Sequence, residues 1–444
     1  MQENNYDLDQ ILVNLNIERL NDMQTAAIDT NTQQDNVVLL SHTGSGKTLA
    51  FLLPLLNKIN IHDTLHTQAI IIAPSRELAM QIEKVFKQLG TGLKISCCYG
   101  GHKREIEENN LIQAPVVVVG TPGRLADHIR RKNIDTAHIT TMVLDEFDKS
   151  LELGFHAEME EIINALPQIQ KRILTSATEA VAIPEFVGMH QSVALNFLTE
   201  EGKVNDALAI KMVQTDGKDK LNSLLDLVCY LGNRSTIIFC NHRESVERTS
   251  QYLWEQGITN VFYHGSMEQR DRDTALCKFR NGTANVLVTT DIAARGLDIP
   301  NIRYIIHYHL PLTEDIYTHR NGRTARMEAS GTAIVMLSPD EKLPAYIDKE
   351  TVEAITLDGP YDKPEKPKWT TLYFPFGKKN KVNKIDIVGF LSQKGGLKKE
   401  DIGLIEVKDF SAFVAVRRNK LAPILGTLQT ERIKGKIAKV QVAK

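Results

Sequence analysis

The residues with the plainest chemistry lie near the start of the chain, where the apolar stretch 36–40 runs into SHTGSGKT and an apolar helical segment follows. Gly44 and Gly46 let successive backbone N–H groups curl toward one phosphate, Lys47 supplies a point charge, and Thr48 offers a hydroxyl to Mg2+. Ser41 stands where the general pattern G-x-x-x-x-G-K-[ST] has its first glycine. The candidate nucleotide-binding loop is therefore Ser41, Thr43, Gly44, Ser45, Gly46, Lys47 and Thr48.

A second group is Asp145, Glu146, Phe147 and Asp148, at the end of the apolar run 141–144. Carboxylates at the carboxyl end of a buried parallel strand sit where such sheets bind ligands. Asp145 is suited to hold Mg2+ through water and Glu146 to orient and deprotonate an attacking water; the same acids would also serve as caps of the next helix. Further on, HRNGRTAR spaces Arg320, Arg323 and Arg326 by three. On a helix or turn this spacing places three guanidinium groups on one face, for bidentate phosphate contact or simply for solvation.

The elements that must position these residues follow a repeating pattern. Strand-like runs at 36–40, 69–73, 95–99, 116–120, 142–145 and 172–176 alternate with helix-period segments, the βαβ rhythm of a doubly wound parallel sheet. After the polar stretch 199–206 the rhythm restarts at 236–240, 261–264, 286–290, 304–307 and 332–337. The semi-rigid linker DGPYDKPEKPKW comes next, followed by about 75 residues that read as βαββαβ, a ferredoxin-like order. The expected architecture is α/β throughout. Two tandem parallel-sheet domains span 1–198 and 208–358, joined by a linker at 199–207, and a second linker at 359–368 leads to a small α/β domain at 369–444.

Length and composition fit such a chain. At 444 residues, with 42% apolar and 24% charged residues, it is long enough for three cores and unlike collagenous or disordered sequences. Five cysteines without a C-x-x-C pair signal neither a disulfide framework nor a zinc site. The start lacks a secretory leader and no apolar run nears the roughly 18 residues of a membrane span, so a cytoplasmic protein without membrane contact is expected. The net charge of −2 hides an asymmetry: from Lys363 to Lys444 there are 19 Lys and Arg against 7 Asp and Glu, a charge of +12, which leaves −14 for the rest. That split points to a polyanion-binding tail or to a solvated basic face.

Taken in order, SHTGSGKT, PSRELA (74–79), the 100–101 glycine pair, TPGR (121–124), DEFD, SAT (176–178), QRDR (269–272), TTDIAARGLDIP (289–300) and HRNGRTAR resemble the DEAD-box ATP-dependent RNA helicases. That resemblance implies two RecA-like domains using ATP and Mg2+. It further implies that Gln24 reads the adenine, that Asp298 touches the ribose, and that Arg323 and Arg326 reach the γ-phosphate. Lys47, Asp145 and Glu146 would complete the catalytic set, with Thr48 and Asp145 holding the metal. Asp148, Ser176, Thr178 and His319 would couple hydrolysis to closure, with Asp148 hydrogen-bonded to Ser176 and Thr178. RNA backbone contacts would fall on Arg76, Gly101, Thr121, Gly123, Arg272 and Thr290. The chain departs from the pattern at Phe147, in place of the Ala of D-E-A-D, at Ala325, in place of Gly, and at Leu20-Asn21, in place of Pro-Thr, with Tyr6 as the upstream aromatic.

The tail resembles the RNA-recognition-like (RRM-type) domain of the DbpA/YxiN branch, which directs that branch to 23S ribosomal RNA. Tyr373 and Phe413 fall where an RRM stacks bases, or else belong to the core, while Lys378, Lys379, Arg417 and Arg418 offer a phosphate-binding surface. The implied activity is local unwinding of short RNA duplexes by a monomer acting on 23S rRNA or ribosomal precursor particles. A general RNA helicase and a non-hydrolysing RNA-binding scaffold are the alternatives.

Overall fold

The computed structural model describes the chain apart from residues 1–5, 43, 102, 179–181, 199–207, 292–301, 325–330 and 444. It forms two compact units, one built mainly from Met1–Asn205 and the other from Asp206 onward.

Seven parallel strands make the sheet of the first unit: Asn36–Leu40, Ala69–Ile72, Ile95–Cys98, Val117–Gly120, Thr141–Leu144, Lys171–Ser176 and Val193–Asn196. Numbered along the chain, they lie in the order 3-4-2-5-6-1-7. The second unit repeats this sheet with Leu208–Gln214, Thr236–Phe239, Asn260–Tyr263, Val286–Thr289, Tyr304–His307, Gly331–Leu337 and Val352–Ala354, again all parallel and again 3-4-2-5-6-1-7. The chain thus contains the same RecA-like fold twice.

The central strands are covered on both faces, which is why they read as continuous apolar runs rather than alternating ones. Three strands escape that signal. Val193–Asn196 alternates half-buried with exposed residues, Leu208–Gln214 is mostly half-buried, and Val352–Ala354 is largely exposed.

The third sheet is antiparallel and belongs to the second unit. Its strands Trp369–Phe374, Ile402–Val407, Ala412–Arg417 and Gln441–Val442 lie in the order 2-3-1-4, with helices Lys384–Gln393 and Arg418–Thr430 on one face. Phe374, Ile387, Phe390, Val414 and Leu428 form its core. This is the expected βαββαβ order, but the last strand is shorter than the 437–442 run, because 432–437 folds into a small hairpin of its own. The five cysteines are free. Among the described residues no helix is long and apolar enough to cross a membrane.

Candidate functional site

The strand Asn36–Leu40 delivers the chain to the phosphate loop, and helix Lys47–Lys58 leaves it. Gly44 and Gly46 both have φ of +94°, a left-handed conformation that favours glycine, and a Cβ on Gly46 would come within 2.5 Å of Gln24 Nε2. Lys47 is buried and its Nζ donates to Ser41 O at 2.6 Å, inside the loop. Ser41 N–H in turn donates to Ser176 O, which ties the loop to the SAT segment.

Gln24 reaches this loop through its own helix, Asp22–Gln33, whose start is a capping box formed by Asn21 and Gln24. Its Oε1 accepts from Asn21 N–H, while Nε2 donates to Gly46 O at 3.3 Å and Asn21 Nδ2 donates to Ser45 O. Both ends of the Gln24 amide are thus engaged within the chain, and Asn21, in place of the usual Thr, supplies the cap. Tyr6 packs at the opposite end of helix Lys47–Lys58, beside Leu56. That is roughly 15 Å from the loop at 1.5 Å per residue.

The acids are set by strand Thr141–Leu144. Asp145 is buried, and Thr175 Oγ1 donates to its Oδ1 at 2.5 Å. Glu146 N–H donates both to Asp145 Oδ1 and to Thr175 Oγ1, each at 3.1 Å. Burial pushes the Asp145 carboxyl above the usual range, opposed by the Thr175 hydrogen bond and the Lys47 charge. Glu146 caps helix Phe147–Glu152 with φ of +46°, a strained conformation for a residue with a side chain and one that clusters at functional sites. Phe147 is wholly buried in the core of this domain among Leu144, Leu151 and Met159, so the departure from Ala fills apolar space and removes no functional group. Ser176 Oγ donates to Thr178 O at 2.8 Å and accepts Thr178 N–H at 3.1 Å, and Asp148 is buried. A hydroxyl at Thr48 and a carboxylate at Asp145 are the oxygen donors that suit a small hard cation such as Mg2+. Sequence reasoning missed Thr175, although it directly precedes SAT.

In the second unit, helix Glu314–Asn321 ends before Arg323, so the arginines do not share one helix face. Arg320 is fully buried: Nε pairs with Asp291 at 2.5 Å, Nη1 donates to His309 O, Nη2 donates to Asn241 Oδ1, and the guanidinium lies over the Phe239 ring. It braces three loops rather than offering a phosphate ligand, which corrects the one-face reading. His319 and Arg323 are buried. Thr43, Asp298, Ala325 and Arg326 lie outside the described residues.

The RNA-contact candidates of the first unit come together. Arg76 packs over Gly101, where a Cβ would lie 2.4 Å from Nη1, and Thr121 N–H donates to Cys98 O. Gly123 has open space around it. Arg272 and Thr290 are in the second unit. Arg272 is buried on helix Gln269–Arg280, and Thr290 is half-buried just past strand Val286–Thr289.

The tail aromatics pack against protein. Phe413 is buried and forms a cluster with Cys277, Ala443 and Tyr373, because helix Gln269–Arg280 lies across this face of the antiparallel sheet. Lys408 pairs with Asp273 at 2.8 Å, Arg280 with Glu406 at 3.3 Å, and Thr283 Oγ1 lies 2.7 Å from Thr371 Oγ1. Of the two readings open for these aromatics, Phe413 takes the core one, while Tyr373 is half-buried at the edge of the cluster. Arg417 stacks on its cross-strand neighbour Trp369, and Arg418 donates to Pro367 O and Trp369 O, fastening the end of the linker. Lys378 and Lys379 are exposed.

A phosphate loop and a paired acid at the carboxyl ends of a parallel sheet, in a fold present twice, define a RecA-like nucleotide-binding protein. Residues 21–185 match the DEAD/DEAH box helicase family, 219–328 the helicase conserved C-terminal domain, and 371–442 the DbpA RNA binding domain. The chain is 34% identical to the ATP-dependent RNA helicase DbpA of Escherichia coli, over 95% of this chain and 94% of that one. It is 31% identical to the DbpA of Bacillus subtilis with the same coverage. In three dimensions it is similar to Saccharomyces cerevisiae Dbp5 bound to RNA and ADP BeF3, with a TM-score of 0.67 and 26% identity over 79% of this chain and 94% of that one. The chain belongs to the DEAD-box ATP-dependent RNA helicases, and carries the RNA-binding domain of the DbpA type.

Proposed function

We propose that this chain is an RNA-stimulated ATPase that separates short RNA duplexes locally, and that its tail directs it to 23S rRNA during assembly of the large ribosomal subunit. The observation that carries the reading is the convergence of Arg76, Gly101 and Thr121 in the same domain that holds the phosphate loop, so that one rigid body grips both RNA backbone and nucleotide. Lys47 holds phosphate charge, Glu146 positions the attacking water and takes its proton, and Arg323 supports the charge that develops on the transferred phosphoryl group. Mg2+, held by Thr48 and through water by Asp145, would neutralise phosphate charge. Backbone and 2′-OH contacts of the kind assigned to Arg76, Gly101, Thr121, Gly123, Arg272 and Thr290 make the grip independent of sequence. Specificity then falls to the tail. Since helix Gln269–Arg280 covers its aromatic face, we assign RNA contact to the exposed lysines at 378, 379, 381, 384, 436 and 439, which read the shape of a folded RNA through the placement of its phosphates rather than its bases.

The test is a ratio. The half-saturating RNA concentration for ATPase stimulation is measured for a 23S rRNA fragment and an unrelated hairpin, at one salt concentration, in the full chain and in a variant with Lys378, Lys379 and Lys381 changed to Gln. The expected result is a preference for the rRNA fragment that the variant loses. An equal response to both RNAs in the full chain leaves a general helicase, and no stimulation by either leaves an RNA-binding scaffold.

A further inference from the structure

Among the described residues one group of His, Cys and acidic side chains lies close enough to share an ion: Cys98, Glu107 and His128, all buried. Its hydrogen bonding argues for a different role. Asn133 Nδ2 donates to Glu108 Oε1 at 3.4 Å and to His128 Nδ1 at 3.1 Å, which leaves the ring proton on Nε2 to be donated to Glu107 Oε2 at 2.7 Å. Arg124 Nη1 is 3.4 Å from the same oxygen, and Tyr99 N–H donates to Glu107 Oε1 at 2.7 Å. The carboxylate faces a cation, a ring N–H and a backbone N–H, so it is satisfied as a buried charge must be.

What these partners belong to gives the cluster its meaning. Tyr99 directly precedes Gly100 and Gly101, whose loop carries the Arg76 guanidinium, while Arg124 closes the TPGR segment and His128 lies one turn further on the same helix, Pro122–Arg130. The two loops already touch along the backbone: Thr121 N–H donates to Cys98 O, and a Cβ at Gly120 would lie 2.2 Å from that oxygen. Glu107, from helix Arg104–Leu111, is the side chain that joins the amide before one loop to the guanidinium at the end of the other.

We propose that Glu107 is a positioning residue for RNA, fixing the 99–101 loop and the 121–124 turn relative to each other so that both can hold the backbone of one strand. The inference rests on the RNA-gripping role given above to Gly101, Thr121 and Gly123. Glu107→Gln retains an acceptor for Tyr99 N–H but sets an amide NH2 against the His128 N–H and the Arg124 guanidinium. Glu107→Ala removes all three contacts.

The experiment measures RNA-stimulated ATPase of the full chain, with its melting temperature, for the parent, both Glu107 variants and Met159→Ala, a buried substitution elsewhere in the same domain. Half-saturating RNA should rise about threefold to tenfold in Glu107→Gln and more in Glu107→Ala, as expected when the two loops lose the charged hydrogen bonds that hold them together. The rate at saturating RNA and the KM for ATP should each stay within about twofold. If Glu107→Ala does not fold, Glu107→Gln carries the test. Half-saturating RNA unchanged in a folded Glu107 variant would overturn the proposal, as would an equal rise in Met159→Ala at equal loss of melting temperature. Absence of RNA stimulation in the parent chain would instead overturn the underlying helicase reading.

Discussion

Arg270 lies over Tyr373, with 5.3 Å between the guanidinium carbon and the ring centroid, so the tail's aromatic face is occupied by protein from the preceding domain. Arg270 belongs to the QRDR segment, and the same helix supplies Asp273, Cys277 and Arg280 to the tail. Phe413→Ala is therefore expected to act on stability. Removing a buried phenyl ring costs about 3–5 kcal/mol, whereas RNA affinity well below the melting transition should change by less than about twofold. Calorimetry paired with RNA titration checks this, and a selective loss of RNA affinity at unchanged melting temperature would return Phe413 to the stacking role.

Lys47 and Glu146 should fail in different ways when replaced. Lys47 holds charge at the phosphate loop, so Lys47→Ala is expected to weaken ATP binding by about tenfold or more. Glu146→Gln keeps the side-chain shape and the Thr175 bracket on its backbone N–H, so ATP binding should stay within about threefold while hydrolysis falls about a hundredfold. Equilibrium nucleotide binding and single-turnover hydrolysis, measured on both variants, separate the two roles. Full turnover by Glu146→Gln would remove it from the reaction.

Much of this was legible in the sequence because it lies in short segments with strong local constraints. The phosphate loop needs left-handed glycines, and Gly44 and Gly46 have them. Central strands such as Ala69–Ile72 and Val286–Thr289 are buried on both faces and announce themselves by composition. What stayed hidden depends on contacts distant along the chain. Nothing near Phe413 indicates that Cys277 covers it, and a spacing of three could not reveal that the helix ends between Arg320 and Arg323. Thr175 and Glu107 carry no motif. Their roles come from hydrogen bonds across 30 and 8 residues respectively.

Arg320 and Arg323 are three residues apart but should respond differently to substitution. Arg320→Ala leaves the half-buried Asp291 and Asn241 without the guanidinium that joins them, and leaving such partners unsatisfied costs about 1–3 kcal/mol. Its loss of activity should follow loss of folded protein in thermal melts. Arg323→Lys keeps a positive charge but not a planar fork, so hydrolysis at saturating RNA should fall about a hundredfold with the fold retained. Equal activity per folded molecule in Arg323→Lys and the parent would exclude a direct part for Arg323 in phosphoryl transfer.

His307 gives the second RecA-like domain a pH dependence with a definite sign. Its ring is fully buried, lies 3.0 Å from Asn321 Oδ1 and faces Phe239 and Tyr317. Burial, helped by the Arg320 charge and opposed by the Asn321 hydrogen bond, lowers its pKa from 6.5 to about 3. Above pH 6.5 the ring is neutral in both the folded and the unfolded chain and contributes no pH dependence. Between about 6.5 and 3 the unfolded chain binds a proton that the folded chain refuses, so stability falls as the pH falls, by up to about 1.4 kcal/mol per pH unit. His309, lowered to about 4 chiefly by burial, adds to the same trend over the upper part of that window. In His307→Gln the amide still donates to Asn321 but does not titrate, so its melting temperature should decline less steeply from pH 6 to pH 4 than the parent's. Parallel slopes in the two proteins would show that His307 is not the group refusing the proton.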